Sequence, residues 1–227
     1  TQRACIANMT PEYGCTCTLF PFDERTLEYL RLTGRSGEQV DLVEGYAKAQ
    51  GLWNDGAERV YSDVIELDLS SVERSLAGPS RPHNRFAADA AHARFVNICA
   101  ERELDSSTVR TVDFAGSSFD LTHGAIAIAA VTSCTTATDP AMMVACGLVA
   151  KHAREAGLQA KPWVKRVMAP GSHATQLMLE RAGLADPLAE LGFSTCGFGC
   201  MSCIGNSGPV WPQMHDIAED IELTSVL

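Results

Sequence analysis

Mostly parallel β-sheets covered by helices, an α/β architecture, are expected from three features of this chain. Strand-like and helix-like segments alternate regularly from about residue 122 onward, the order that gives parallel strands joined by helical crossovers. The run AIAIAAV at 125–131 is apolar without alternation, as a fully buried strand is. Asp139 and Pro140 open a helix that Gly157 closes, between that strand and the next. The organisation expected is the end of a first α/β domain at 1–75, a linker and connecting segment at 76–120, and a second α/β domain at 121–227.

The opening 24 residues have no clear period and read as loop and short strand. Within them Asn8 and Glu12 flank Pro11, and a carboxylate in so apolar a stretch is either paired in the fold or placed for chemistry. On these residues alone, pairing is the simpler reading. Asp23 caps a helix that turns Leu27, Leu30 and Tyr29 inward and ends at Gly34. Val40, Val43, Tyr46 and Ala47 repeat at helical spacing up to Gly51. VIELDLS at 64–70 alternates and predicts a strand with Ile65, Leu67 and Leu69 on one face. SLAGPSRPHNR then supplies two prolines and a glycine, an extended linker with a domain boundary near 75–85. Residues 85–99 suit a helix and 101–107 a surface loop; His83 and His92 read as solvated. Beyond Gly157, PWVKRVM is a second strand, APGS a turn into a helix ending at Arg181, and 187–191 a short helix. FSTCG is a third strand, 212–219 a helix and IELTSVL a fourth strand. An apolar strand at the end of a chain needs something to cap or pair with it, so the chain reads as a piece of a larger assembly.

Composition excludes several classes. A net charge of −10 with scattered basic residues argues against nucleic acid, which is bound through clustered cations. No apolar stretch approaches the roughly 20 residues of a membrane span, and no signal-peptide pattern opens the chain. Nine cysteines, odd in number and irregular in spacing, fit a reducing, cytoplasmic location better than a disulfide framework.

The chemistry concentrates in GFGCMSCIGNSGP at 197–209, where Cys200 and Cys203 sit in a loop too glycine-rich for helix or strand. Two thiolates under-ligate most metals. Cys134, just past the buried strand, lies where open α/β sheets bind ligands and is the best third ligand. Most of Cys5, Cys15, Cys17, Cys99, Cys146 and Cys196 read as small buried hydrophobes, a spare-ligand role being the minor alternative for Cys15 and Cys17. A zinc site wants four ligands, usually in close pairs, and neither His123 nor His173 has ligand spacing to the cysteines. A thioredoxin-type pair would leave Cys134 unused. An iron–sulfur cluster takes cysteine ligands as standard, and three cysteines for a four-iron cube leave one iron open as a Lewis acid. The residues by themselves leave these three readings open.

A set of motifs in order carries a resemblance: ANMTPEYGCT (7–16), FPFDERTLEYLRLTGR (20–35), ELDLSSVERSLAGPSRP (66–82), HGAIAIAAVTSCT (123–135), APGS (169–172) and GCMSCIGNSGP (199–209). Together they resemble the middle of the aconitase family, closest to its bacterial and iron-regulatory branches. The resemblance implies a [4Fe-4S] cluster on Cys134, Cys200 and Cys203, Asn8 beside it, and Glu12 as the active-site glutamate that contacts the substrate hydroxyl or iron-bound water. It implies dehydration and rehydration of a hydroxy tricarboxylate of the citrate/isocitrate type. Thr136 departs from the family's usual asparagine, and Cys15 from its usual alanine. The family's general base and carboxylate-binding arginines belong to portions without a counterpart here, so a partner chain or further domains are expected to supply them. A stand-alone iron–sulfur dehydratase of a biosynthetic pathway, and a non-catalytic iron–sulfur sensing module, are the alternatives.

Overall fold

The computed structural model of the protein describes residues 1–78, 83–136 and 138–226; part of the expected linker, 79–82, falls outside them. The chain divides into two units, one formed by Thr1 and Met9–Ala87, the other by Gln2–Asn8 and the chain from Ala88 onward.

In the first unit, Asp23 Oδ1 accepts from Thr26 N at 3.1 Å, and the Thr26 hydroxyl answers to the Asp23 backbone, a capping box that starts helix α2 (Glu24–Leu32). Leu27 is buried on it, and the chain leaves through Gly34 at φ +87°, a conformation side chains disfavour. Helix α3 (Gly37–Ala49) starts at Ser36 and buries Val40 and Ala47, seven apart on one face. Tyr46, expected inward, is exposed. Strands β1 (Ser75–Ala77) and β2 (Arg85–Ala87) form a short antiparallel ladder.

The expected strand at 64–70 is absent: the stretch is extended and then makes a 3-10 turn at Leu69–Ser71 capped by Asp68. Ile65 is 92% exposed. A strand exists through its ladder, and among the described residues no other strand pairs with this stretch.

The second unit begins with helix α1 (Gln2–Asn8), where loop and short strand are expected. Seven residues without proline or glycine suffice for two turns, too few to show a period. Residues 85–87 are strand β2 rather than helix, and helix α4 occupies Ala91–Glu101. A hairpin follows, β3 (Val109–Phe114) and β4 (Ser117–Thr122), in register from Val109↔Thr122 to Phe114↔Ser117. Its two-residue turn has Ala115 at φ +51° and Gly116 at φ +79°, both positive, as the hairpin turns that match strand twist require.

Strand β5 (Ile126–Thr132) is the centre of a three-stranded parallel sheet in the order β6-β5-β7, with β6 at Lys165–Ala169 and β7 at Thr224–Val226. Parallel pairing thus holds for this sheet, while the two others are antiparallel pairs. FSTCG contributes one bridge, Thr195 to Met168, and no strand. The crossover from β5 to β6 is helix α5 (Pro140–Glu155), capped by Asp139, whose Oδ1 accepts from Ala141 N at 2.9 Å. Met143 and Ala150 of α5 pack with Met168 of β6, Leu179 of helix α6 (His173–Arg181), Leu184, and Leu188 of helix α7 (Ala185–Glu190). A second core joins Val112 and Leu121 of the hairpin, Ala127, Met214 of helix α8 (Pro212–Asp216), Ile217 and Ile221. Asp220, an exposed carboxylate beside this core, takes a hydrogen bond from Arg110 Nε at 2.8 Å, and that bond and the guanidinium charge hold it below the ordinary carboxylate range. No helix among the described residues is long and apolar enough to cross a membrane.

Candidate metal centre

β5 and β6 end side by side, Thr132 opposite Ala169, and Ser133 N adds one further bond to Ala169 O at 3.2 Å. Cys134 therefore leaves the sheet at its carboxyl edge, next to the turn at 170–172. Hydroxyl groups fix its backbone. Ser133 Oγ donates to Thr138 Oγ1 at 2.8 Å, Thr138 Oγ1 donates to Cys134 O at 2.7 Å, and Thr135 Oγ1 donates to Gly171 O at 2.5 Å. Gly171 is required by this closeness, since a Cβ there would stand 2.0 Å from Thr138 Oγ1 and 2.7 Å from Cys134 O.

The second loop comes off the same edge. Cys196 N donates to Met168 O at 3.0 Å and Gly199 N to Pro170 O at 2.8 Å, with Gly199 at φ +74°. The chain then winds tightly: Ile204 N donates to Cys200 O, Gly205 N to Ser202 O and Asn206 N to Met201 O. Lys165 Nζ ties down the far side by donating to Ser207 O at 2.5 Å and Pro209 O at 2.8 Å. The rings of His173 and Phe198 lie 4.1 Å apart and hold the near side to α6.

The two loops bring Cys134 Sγ within 3.0 Å of Cys200 Sγ across 66 residues, with neither cysteine in a disulfide. Cys203 is exposed on the same turn as Cys200. Among the described residues no three His, Cys, Asp or Glu side chains close into a metal-holding group; of the three predicted ligands, Cys134 and Cys200 meet, and Cys203 lies three residues on from Cys200. Ser202, between Cys200 and Cys203, is 4% exposed, and its Oγ has no partner among the described residues.

Asn8 ends α1, half-buried, in the same unit as the three cysteines. Glu12 lies in the turn after it and belongs to the other unit; its backbone N donates to Met9 O at 3.1 Å and its side chain is exposed. The remaining six cysteines are not the buried hydrophobes expected: Cys15, Cys17 and Cys196 are exposed, and Cys5, Cys99 and Cys146 half-buried. Cys196 instead uses its thiol as a donor, to Met168 O at 3.2 Å. His83 and His92 are exposed, as anticipated. Sequence reasoning missed the Lys165 clamp, for which a lysine in a strand gives no signal, and Ser202, whose place inside the cysteine pair was visible but whose burial was not.

The profile of the aconitase family (aconitate hydratase) matches residues 1–223. The chain belongs to the aconitase family. Aconitate hydratase A of Legionella pneumophila is 47% identical over all of this chain and 26% of its own length, and that of Escherichia coli 46% identical over 98% of the chain and 26% of its own. A protein of Streptomyces viridochromogenes named phosphinomethylmalate isomerase is 46% identical over 99% of the chain. The chain thus spans about a quarter of the length of the curated relatives it matches.

The donor set of this aconitase-family chain fits an iron–sulfur group. The ligand loops offer thiols alone, the ligand type such clusters take. A structural zinc site takes four ligands, one more than the three predicted cysteines; His123 Nδ1 accepts from Glu222 N at 2.9 Å, and the His173 ring packs on Phe198.

Proposed function

We propose that this chain is the cluster-holding core of an aconitase-type hydro-lyase, with a [4Fe-4S] cluster on Cys134, Cys200 and Cys203 and a small hydroxy tricarboxylate of the citrate/isocitrate kind as substrate. The reading is carried by the meeting of Cys134 and Cys200 at 3.0 Å, from loops at the ends of neighbouring strands, in a chain of this family. A four-iron group on three thiolates supplies one iron open to the substrate's hydroxyl and carboxylate.

The chain's own residues have separable tasks. Cys134, Cys200 and Cys203 provide anionic sulfur. Thr135, Thr138 and Gly171 hold the Cys134 backbone so that its sulfur is presented without reorganisation. Asn8 carries an amide that can donate to one neighbour and accept from another. Glu12 contacts the substrate hydroxyl through its carboxylate. The base that completes the reaction, and the groups that grip the distal carboxylates, come from the rest of a longer enzyme or from a partner chain. Nine thiols without a disulfide among them suit the reducing cytoplasm.

A second reading is an iron–sulfur dehydratase of a biosynthetic pathway; the Streptomyces relative, named phosphinomethylmalate isomerase and not aconitate hydratase, has the same identity to this chain as the Escherichia coli aconitate hydratase. This portion of the family therefore does not by itself separate substrates.

Anaerobic reconstitution tests the proposal. About four irons and four sulfides per chain are expected, converting on mild oxidation to a three-iron EPR signal. Serine at Cys134, Cys200 or Cys203 abolishes this, whereas Cys15→Ala and Cys17→Ala keep the full content. In the complete enzyme Glu12→Gln lowers turnover with iron content unchanged. Zinc uptake, or iron retained without Cys200, overturns the proposal.

A further inference from the structure

Three buried polar side-chain atoms have no hydrogen-bond partner among the described residues: His123 Nε2, Thr132 Oγ1 and Ser202 Oγ. Two of the three lie within two residues of a cysteine assigned as ligand, Thr132 before Cys134 and Ser202 before Cys203. Every other hydroxyl of these loops for which a bond is described finds a protein acceptor: Ser133 donates to the Thr138 hydroxyl, and Thr135 and Thr138 donate to backbone carbonyls. Ser202 is the more enclosed of the two, at 4% exposure. It sits on a turn whose backbone bonds are already made, Gly205 N to Ser202 O among them.

A buried hydroxyl is retained against its desolvation cost when something accepts its proton. Sulfur carrying negative charge is such an acceptor, and a hydrogen bond to it strengthens with that charge. Ser202 adjoins Cys203 and is two residues from Cys200 in the chain.

We infer that Ser202 is a positioning residue whose hydroxyl donates to sulfur at the cluster, either a cysteine thiolate or an inorganic sulfide, and thereby raises the reduction potential and slows loss of iron. The inference rests on the cluster proposed above. Hydrogen bonding to cluster sulfur stabilises the more negative, reduced form, so its removal lowers the potential. The Ser202 proton does not leave the oxygen, and no bond to iron is implied.

The experiment compares the wild-type chain with Ser202→Ala and Ser202→Thr after anaerobic reconstitution with ferrous iron and sulfide. Four measurements are made: metal content, reduction potential, hyperfine coupling to exchangeable protons, and the rate of iron transfer to a chelator. The unfolding midpoint of each apo chain is measured alongside. Ser202→Ala is expected to bind the same iron, to shift its potential to more negative values, and to lose one exchangeable-proton coupling. It should release iron about five-fold faster, the worth of one net hydrogen bond. Its apo form should be at least as stable as wild type, because an unsatisfied hydroxyl has been removed. Ser202→Thr, which keeps the donor, restores the coupling and the potential. An apo Ser202→Ala chain less stable than wild type, with unchanged cluster spectra, means that the hydroxyl serves the protein itself and overturns the inference alone. Wild-type chain that takes up no iron and sulfide overturns the cluster reading and the inference together.

Discussion

Gly171→Ala is the sharpest test of how the Cys134 loop is held. Gly171 is not in the left-handed region, so an alanine there carries no backbone strain and the effect is one of space. The added methyl would lie 2.0 Å from Thr138 Oγ1, 2.7 Å from Cys134 O and 3.1 Å from Cys134 C. Thr138 must swing away, which breaks its bond to Cys134 O and the bond it receives from Ser133. Two hydrogen bonds at about 1 kcal/mol each and an overpacking cost of about 1 to 3 kcal/mol give roughly 3 to 5 kcal/mol of lost stability. Urea unfolding of the apo chain measures it, and iron content after reconstitution reports the displacement of Cys134. Thr138→Ala combined with Gly171→Ala removes the closest contact but leaves the carbonyl at 2.7 Å, so the double variant recovers only part of the loss, a coupling read from the mutant cycle. A Gly171→Ala chain as stable as wild type with full iron would refute the reasoning, because it would mean that the two loops are not in contact as described.

Gly147→Ala places a methyl 2.7 Å from Leu184 Cβ, and that overpacking, about 1 to 3 kcal/mol, outweighs the ~1 kcal/mol gain in helix propensity; a net loss in thermal midpoint is expected. Asp139→Ala removes the cap on α5 and should cost about 1 kcal/mol, seen as a lower urea midpoint at unchanged slope. Asp220, depressed by its bond to Arg110 and then by the guanidinium charge, contributes stability that is complete above the unfolded carboxylate value and fades as pH falls through its lower folded value. Stability of wild type and Asp220→Asn, followed by circular dichroism from pH 7 downward, should therefore differ at neutral pH and converge below about pH 4. The difference is small for so exposed a pair.

What could be read from the sequence was whatever carries its own signal. Asp139, Pro140 and Gly157 mark both ends of α5, and the helix runs Pro140–Glu155 between them. Asp23 and Gly34 do the same for α2. The unbroken apolar run at 125–131 placed β5, and its position placed Cys134 beside a loop that lies 66 residues away in sequence. What could not be read depends on a partner. Alternation at 64–70 is necessary for a strand but supplies no ladder, and the stretch stays open with Ile65 exposed. The hairpin at 109–122 did have a local mark, Ala115–Gly116 between two alternating runs, but an alanine at positive φ is not among the usual turn residues. Ser202 shows its importance only through burial, which no spacing encodes.

The separation of the two cysteine loops also bears on when the centre can exist during synthesis. A ribosome adding roughly 5 to 20 residues per second needs about 3 to 13 seconds to travel the 66 residues from Cys134 to Cys200. Throughout that interval the emerging chain offers Cys134 without the loop that meets it. The carboxyl edge at which they meet requires β6 to have paired with β5, and the Lys165 tether closes only after Ser207 and Pro209 have been made. On the proposed reading, metal delivered earlier finds only one of the three ligand thiols, so maturation of this site belongs after translation of the second loop and not before.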